Sequence, residues 1–437
     1  MDALRLWLAS CGFAHVDTSE RTGHPHRASL EVNLLAAAYV TPRIISGKLS
    51  SGPLRLPLNL RSSYRSWMAI SGSVPGEDSM SSGPKRHHYV PRFLLRRFAE
   101  DVDAKKPTVF RLSTKTGANR RSSVENEAVI GHYYRLADEI PLPPGLPEKT
   151  LGDIEGPAAE AIRNLDEHTG QLTVEQRHAL AIFMVLQRKR TPAGRRQFKF
   201  IDELITRLQT EINLNNAESW AEAMKATGDF ESAEQAEHER LETLRLFHEG
   251  GVSIETTPDR EVAGIFLAAN DVAETITHGG FSWYVLRPSG TQQFVLGDDP
   301  VALFDATRPE KPGGLGFGIR TVETTLPISP AACLLLKSDG LGRIDDVPAD
   351  DNLVRHVNLR SYAHADEGIW GSRLETLASV RRDARANPAV LHAVRRRDGV
   401  AWIGEPVADQ PGVYDFEGHF PDGRRQKRRG YVDPNAR

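Results

Sequence analysis

Apolar positions along this chain recur at helical spacing through its middle and crowd at strand-like density in the stretch that follows, while both ends lack a sustained pattern. Residues 1–79 mix short apolar pieces, Leu34 to Val40 and Arg43 to Ile45, with a Ser/Arg/Gly/Pro-rich run from Ser46 to Ser82, and are expected to be disordered. Patterning becomes regular from Met80, which is therefore expected to be the real start. A short helix over Pro91 to Phe98, a strand over Thr108 to Leu112, a Thr116-Gly117 turn and an extended piece from Gly131 to Leu136 come first. Pro141 to Pro147 reads as a loop.

A helical region then runs with breaks from Leu151 to His278. Thr173-Val174-Glu175-Gln176 is a capping box that opens its best helix, and Pro192 ends it. Leu180 to Leu186 is apolar on every side, so this helix is central, whereas Gln197 to Leu214, Ala217 to Thr227 and Ser232 to Glu249 are more polar and belong nearer the surface. Thr257-Pro258 and Gly279-Gly280 bracket one further helix through Ile265, Phe266 and Leu267. Phe281 to Leu286, Gln293 to Leu296, Val322 to Ile328 and Ala332 to Lys337 predict an antiparallel sheet. The fold class is α+β: a central helical region packed with a mainly antiparallel sheet. Its organisation is one domain over 80–398, helical over 151–278 and sheet-rich over 281–372, followed by a mostly disordered basic tail over 399–437.

Composition narrows the function classes. The 437 residues carry 55 basic and 58 acidic side chains, a net of −3, which excludes holding nucleic acid by bulk charge alone and leaves room for a local basic face. Two cysteines, Cys11 and Cys333, are too few for a cysteine-rich zinc site or a disulfide-stapled fold, so a cytoplasmic location is expected. No apolar run approaches the roughly 20 residues that span a bilayer, and no membrane association is expected.

The densest chemistry is Lys85-Arg86-His87-His88-Tyr89-Val90-Pro91-Arg92, in which the two histidines precede a helix start that favours neutral imidazole. His87 and His88 are candidate catalytic groups, and Arg92 with Arg96 would form a basic stripe. The plainer alternative is that one histidine caps the helix and the other packs on Tyr89. Phe294 to Val301 runs into Asp298-Asp299-Pro300, which places Asp298 at the end of a buried strand as a catalytic partner, or as a mere turn former. Gln187 and Arg190 lie one turn apart after the apolar block, where Arg190 could clamp a phosphate or carboxylate. Glu155 is a further acidic candidate. If His88, Asp298 and Glu155 met, they would suit a divalent ion such as Mg, Mn or Zn. No phosphate-binding Walker loop, dinucleotide fingerprint, His-Glu-x-x-His or Gly-x-Ser-x-Gly occurs.

The segment Lys85 to Phe98 resembles the opening of the bacterial domain of unknown function 4238 family. Leu186-Gln187-x-x-Arg190-Thr191-Pro192, Phe294 to Val301 and Leu326-Pro327-Ile328-Ser329-Pro330 are similar to later segments of that family, covering about Pro84 to Ser372. The chain departs from it at Gly297-Asp298-Asp299-Pro300, where Ser/Thr-Asp-Asn-Pro is commoner. The resemblance implies no activity, so function rests on the residues. One reading is a hydrolase of a phosphodiester or other anionic substrate built on a His/Asp site, metal-assisted or not. The other is a non-catalytic module that holds phosphate or nucleic acid, in which the histidines and Asp298 are structural.

Overall fold

The computed structural model describes residues 85–137, 142–167, 172–218, 220–221, 232–249, 254–307, 316–388, 391, 401–407, 410, 413–419 and 424–431. The expectations for 1–79 and Met80 fall outside them, as does most of Ala217 to Thr227.

Strand β1 (Arg86–His88) pairs antiparallel with β4 (Val129–Gly131) and leads through Pro91 into α1 (Arg92–Arg96), which buries Leu94 and Leu95. Between them, β2 (Thr108–Ser113) and β3 (Asn119–Ser123) form a hairpin whose turn places Gly117 at φ 71, a conformation glycine adopts without penalty. Only the start of the expected Gly131 to Leu136 strand is extended, because His132 turns the chain at φ 53.

Helix α2 (Leu146–Asp166) begins inside the proline-rich stretch expected to loop out. Pro147 occupies its first turn, where the missing amide hydrogen costs nothing. The capping box forms as read: in α3 (Val174–Arg190) the Thr173 hydroxyl accepts from Gln176 N and the Gln176 side chain accepts from Thr173 N. Residues Leu180 to Leu186 are all buried, so α3 is the central helix. Pro192 ends α3 and also opens α4 (Pro192–Leu214), whose N-cap is Thr191. Beyond lie α5 (Ala233–His248), α6 (Pro258–Phe266) and α7 (Ala269–His278). The single helix expected between Thr257 and Gly279 is two, broken where Ala268 adopts φ 53.

The larger sheet has the order β10-β5-β9-β8-β7, with β5 (Phe281–Pro288), β7 (Ala302–Phe304), β8 (Glu323–Ser329), β9 (Ala332–Ser338) and β10 (Ile344–Ala349). All its pairs are antiparallel except β10 with β5. A second sheet, β3-β2-β11-β6, joins the early hairpin to β6 (Leu296–Gly297) and β11 (Gly368–Gly371). The expected strand Gln293 to Leu296 is reduced to β6. Helices α8 (Asp351–His364) and α9 (Leu374–Ala386) flank β11 and complete an α+β fold. One apolar cluster runs from Tyr89 through α2, α3, α6, α7 and the larger sheet to Trp370, so helices and strands share a core.

Within the segment 399–437 the described residues form an antiparallel sheet of β12 (Ala401–Pro406), β13 (Val413–His419) and β14 (Arg425–Tyr431). Opposite charges face each other across it: Arg429 grips Asp415 at 2.6 and 2.7 Å, and Glu417 lies opposite Lys427.

Candidate functional site

The β1–β4 ladder fixes the two histidines back to back, with His87 opposite Ile130 and His88 opposite Val129. Alternation along a strand sends the rings to opposite faces. His87 is buried, accepts the Tyr134 backbone N–H at Nδ1 over 3.0 Å and lies against the Tyr134 ring at 5.3 Å. That leaves the His87 hydrogen on Nε2 in the neutral ring. His88 is half-buried and the reverse holds: its Nδ1 lies 3.1 Å from the carbonyl oxygen of Glu127, which can only accept. The His88 proton therefore sits on Nδ1, and in the neutral ring Nε2 carries a lone pair. Burial holds the His88 pKa below its ordinary 6.5, Arg92 lowers it further, and Arg86 and Arg190 add to this, while the bond to Glu127 pulls the other way. A neutral, basic imidazole among three cations results.

Arg190 ends α3 with its side chain 1% exposed. Its Nε donates to Gln187 Oε1 at 2.8 Å, its first terminal nitrogen donates to Glu155 Oε1 at 2.6 Å, and Gln187 Nε2 donates to the Tyr89 carbonyl at 2.9 Å. The second terminal nitrogen, Nη2, is buried and has no hydrogen-bond partner among the described residues. Glu148 lies one stripe up α2 from Glu155. Burial, reinforced by the Glu155 charge, pushes its pKa up to about 7 against the pull of Arg190. Tyr134, wholly buried, donates its hydroxyl to the His88 carbonyl at 3.3 Å and is held as a neutral phenol by desolvation. Thus Gln187, Arg190 and Glu155 are joined around one guanidinium, Gln187 ties that group to the Tyr89 carbonyl next in sequence to His88, and the charges of Arg92 and Arg190 both reach the His88 ring. Arg96 is not part of this group: it donates to the carbonyls of Val102 and Ala104 and secures a loop.

Asp298 is buried at the end of β6, but its oxygens are committed: Oδ1 accepts from Asp366 N at 2.8 Å and Oδ2 from Glu367 N at 2.7 Å. Burial pushes its pKa up to about 7, and these two amides pull it back. Its charge is felt at the Tyr89 phenol. The expected metal trio of His88, Asp298 and Glu155 is not assembled. Among the described residues no three His, Cys, Asp or Glu side chains form a metal-binding group, and one Glu155 oxygen serves Arg190. Asp299 instead faces Thr191, Arg188 and His364 at 3.5, 3.9 and 3.8 Å.

The family model described as a protein of unknown function (DUF4238) matches residues 86–374. The chain belongs to that family. Comparison with curated proteins and with solved structures gives no match. The matched region of this DUF4238 member holds every residue of the Arg190 group. Two of its members, Glu148 and Tyr134, are not apparent from the sequence. The seven-residue interval from Glu148 to Glu155 is a same-face helical signal, but it is visible only once α2 is known to start before Leu151. Among the described residues no helix is long and apolar enough to cross a membrane.

Proposed function

We propose that this DUF4238 protein is a hydrolase of an anionic ester, a phosphodiester first, with His88 as general base, Glu148 as general acid and Arg190 as the anion-holding group. The observation that carries the reading is Arg190 Nη2, a buried guanidinium nitrogen with nothing to donate to. Such a donor is costly to leave unmet and suits an anion's oxygen. In the reaction, His88 Nε2 takes a proton from water as the water oxygen bonds to phosphorus. The bond from phosphorus to the leaving oxygen breaks as that oxygen receives the Glu148 proton, and Arg190 meets the charge on the equatorial oxygens. His88 ends protonated and Glu148 ionised, and solvent exchange resets both.

The acid and base have environments that push their pKa values toward each other's role, Glu148 up and His88 down. Activity should therefore follow a bell, rising through a His88 pKa below 6.5 and falling near 7 as Glu148 loses its proton. The test uses the full chain with bis(4-nitrophenyl) phosphate and with an end-labelled oligonucleotide. H88A and E148Q should each lower kcat about 100-fold or more, while inorganic phosphate still binds. Phosphate binding without turnover of either substrate would favour the non-catalytic binding reading, and absence of phosphate binding would overturn both.

A further inference from the structure

We infer that Asp298 is a positioning residue for His88, acting through β11, Trp370 and Glu127, so that two motifs about 210 residues apart in sequence select one tautomer of one imidazole. The link is a continuous series of hydrogen bonds, buried at Trp370 and partly buried at its two ends. The Asp298 carboxylate clamps the amides of Asp366 and Glu367, and its own N–H donates to the Gly368 carbonyl at 3.2 Å, which fixes the entry into β11. Strand β11 is held on both sides, Trp370 pairing with Arg111 of β2 and with Leu296 of β6. From there the Trp370 indole N–H donates to Glu127 Oε2 at 2.9 Å, and Arg120 donates to Oε1 at 2.7 Å.

Glu127 is 2% exposed, and each of its carboxylate oxygens accepts from a protein donor. Its backbone carbonyl is the one that accepts from His88 Nδ1. The neighbouring Ala128 carbonyl accepts from Tyr89 N at 2.9 Å, and Ala128 itself adopts φ 53, which an alanine keeps only where surrounding bonds impose it. The carbonyl of Glu127 is thereby held at one angle. An acceptor fixed there requires the hydrogen on Nδ1, and Nε2 is left as the basic atom. This explains why Asp298 sits in a strand-end position typical of catalytic carboxylates while spending both oxygens on backbone amides. The inference bears on turnover only through the assignment of His88 as base, and its test needs no substrate.

The experiment reads the imidazole nitrogens of the full-length protein, labelled with nitrogen-15 at histidine, by two-dimensional NMR near neutral pH. His88 should show a protonated Nδ1 and a bare Nε2, with His87 the reverse because it accepts from Tyr134 N. D298N replaces one acceptor oxygen by an NH2 group facing an amide N–H. It should shift the His88 ratio toward the Nε2–H form about five-fold, the change that losing one hydrogen bond of ordinary strength allows, and leave His87 unchanged. W370F keeps Asp298 and an aromatic ring while removing the indole donor and part of the ring volume, and should shift His88 the same way, so it decides the matter if D298N fails to fold. A wild-type His88 already in the Nε2–H form would overturn the inference. So would a folded W370F with the His88 signals of wild type. A correct tautomer in a protein without hydrolytic activity would leave the inference standing and remove the proposed function.

Discussion

Arg190 is both the best-buried cation of the site and a branch point between Gln187 and Glu155, so its replacement separates charge from shape. Arg190→Lys keeps a positive charge but cannot reach Gln187 and Glu155 together or offer a planar fork. It should abolish competition by inorganic phosphate while leaving most of the fold's stability. Arg190→Met removes the buried partner of a half-buried pair and should cost about 1–3 kcal/mol, read by urea denaturation. Glu148 makes a pH prediction with a definite sign. Its folded pKa is about 7 against an ordinary 4.5, so between those values the unfolded chain gives up the proton while the folded protein keeps it. Stability therefore declines as pH rises from about 4.5 through about 7 and loses this dependence above. E148Q stays neutral throughout, so the difference in unfolding free energy between it and wild type should move in its favour across that window. A difference that stays flat from pH 5 to pH 8 would show that Glu148 is ionised in the folded state. Asp298, also raised, carries the same sign in both proteins and cancels.

At the scale of elements, the α3–α4 corner is the most exacting feature. Thr191 Oγ1 accepts from Gly194 N at 3.1 Å and caps α4, and a Cβ on Gly194 would stand 2.1 Å from the Arg188 carbonyl oxygen. Gly194→Ala must therefore move backbone, and its melting temperature should fall further than that of Thr173→Ala, which loses only an N-cap worth about 1 kcal/mol, or about 2–4 °C. The two thermal melts, run side by side, check the order. Caps such as Thr173 and Thr257 were legible because their signal lies within four residues of chain. Other elements were not. The break at Ala268 has no glycine or proline to announce it, and β10 exists by pairing parallel to β5, a partner nearly sixty residues away. Helix α8 hides its buried face, Val354, Val357 and Ser361 with Asn358, among polar residues. The site divided in the same way. Gln187 and Arg190 stand on a locally readable helix, whereas His88 lies on a strand that exists by pairing with Val129 to Gly131, and Glu148 was masked by the prolines around it. The role of Asp298 depends on amides of Asp366 and Glu367 that no local pattern could assign.

Across the whole molecule, stability is unevenly spread. The main cluster joins helices and sheet, but the outer ends of α4 and α5 rest on a small separate cluster of Leu214, Trp220 and Phe247. Amides of α5 should exchange with deuterium well before those of α3 at neutral pH, and equal protection by mass spectrometry would place α5 within the cooperative core. The bond from Trp370 to Glu127 also gives the molecule a history. A ribosome delivers His88 early and Trp370 late, and domains fold in the order they emerge. For most of synthesis the imidazole is therefore on the chain without the support that orients it. Until β11 has left the exit tunnel the Trp370 indole cannot reach Glu127, so this contact between early and late parts of the chain forms only near the end of synthesis.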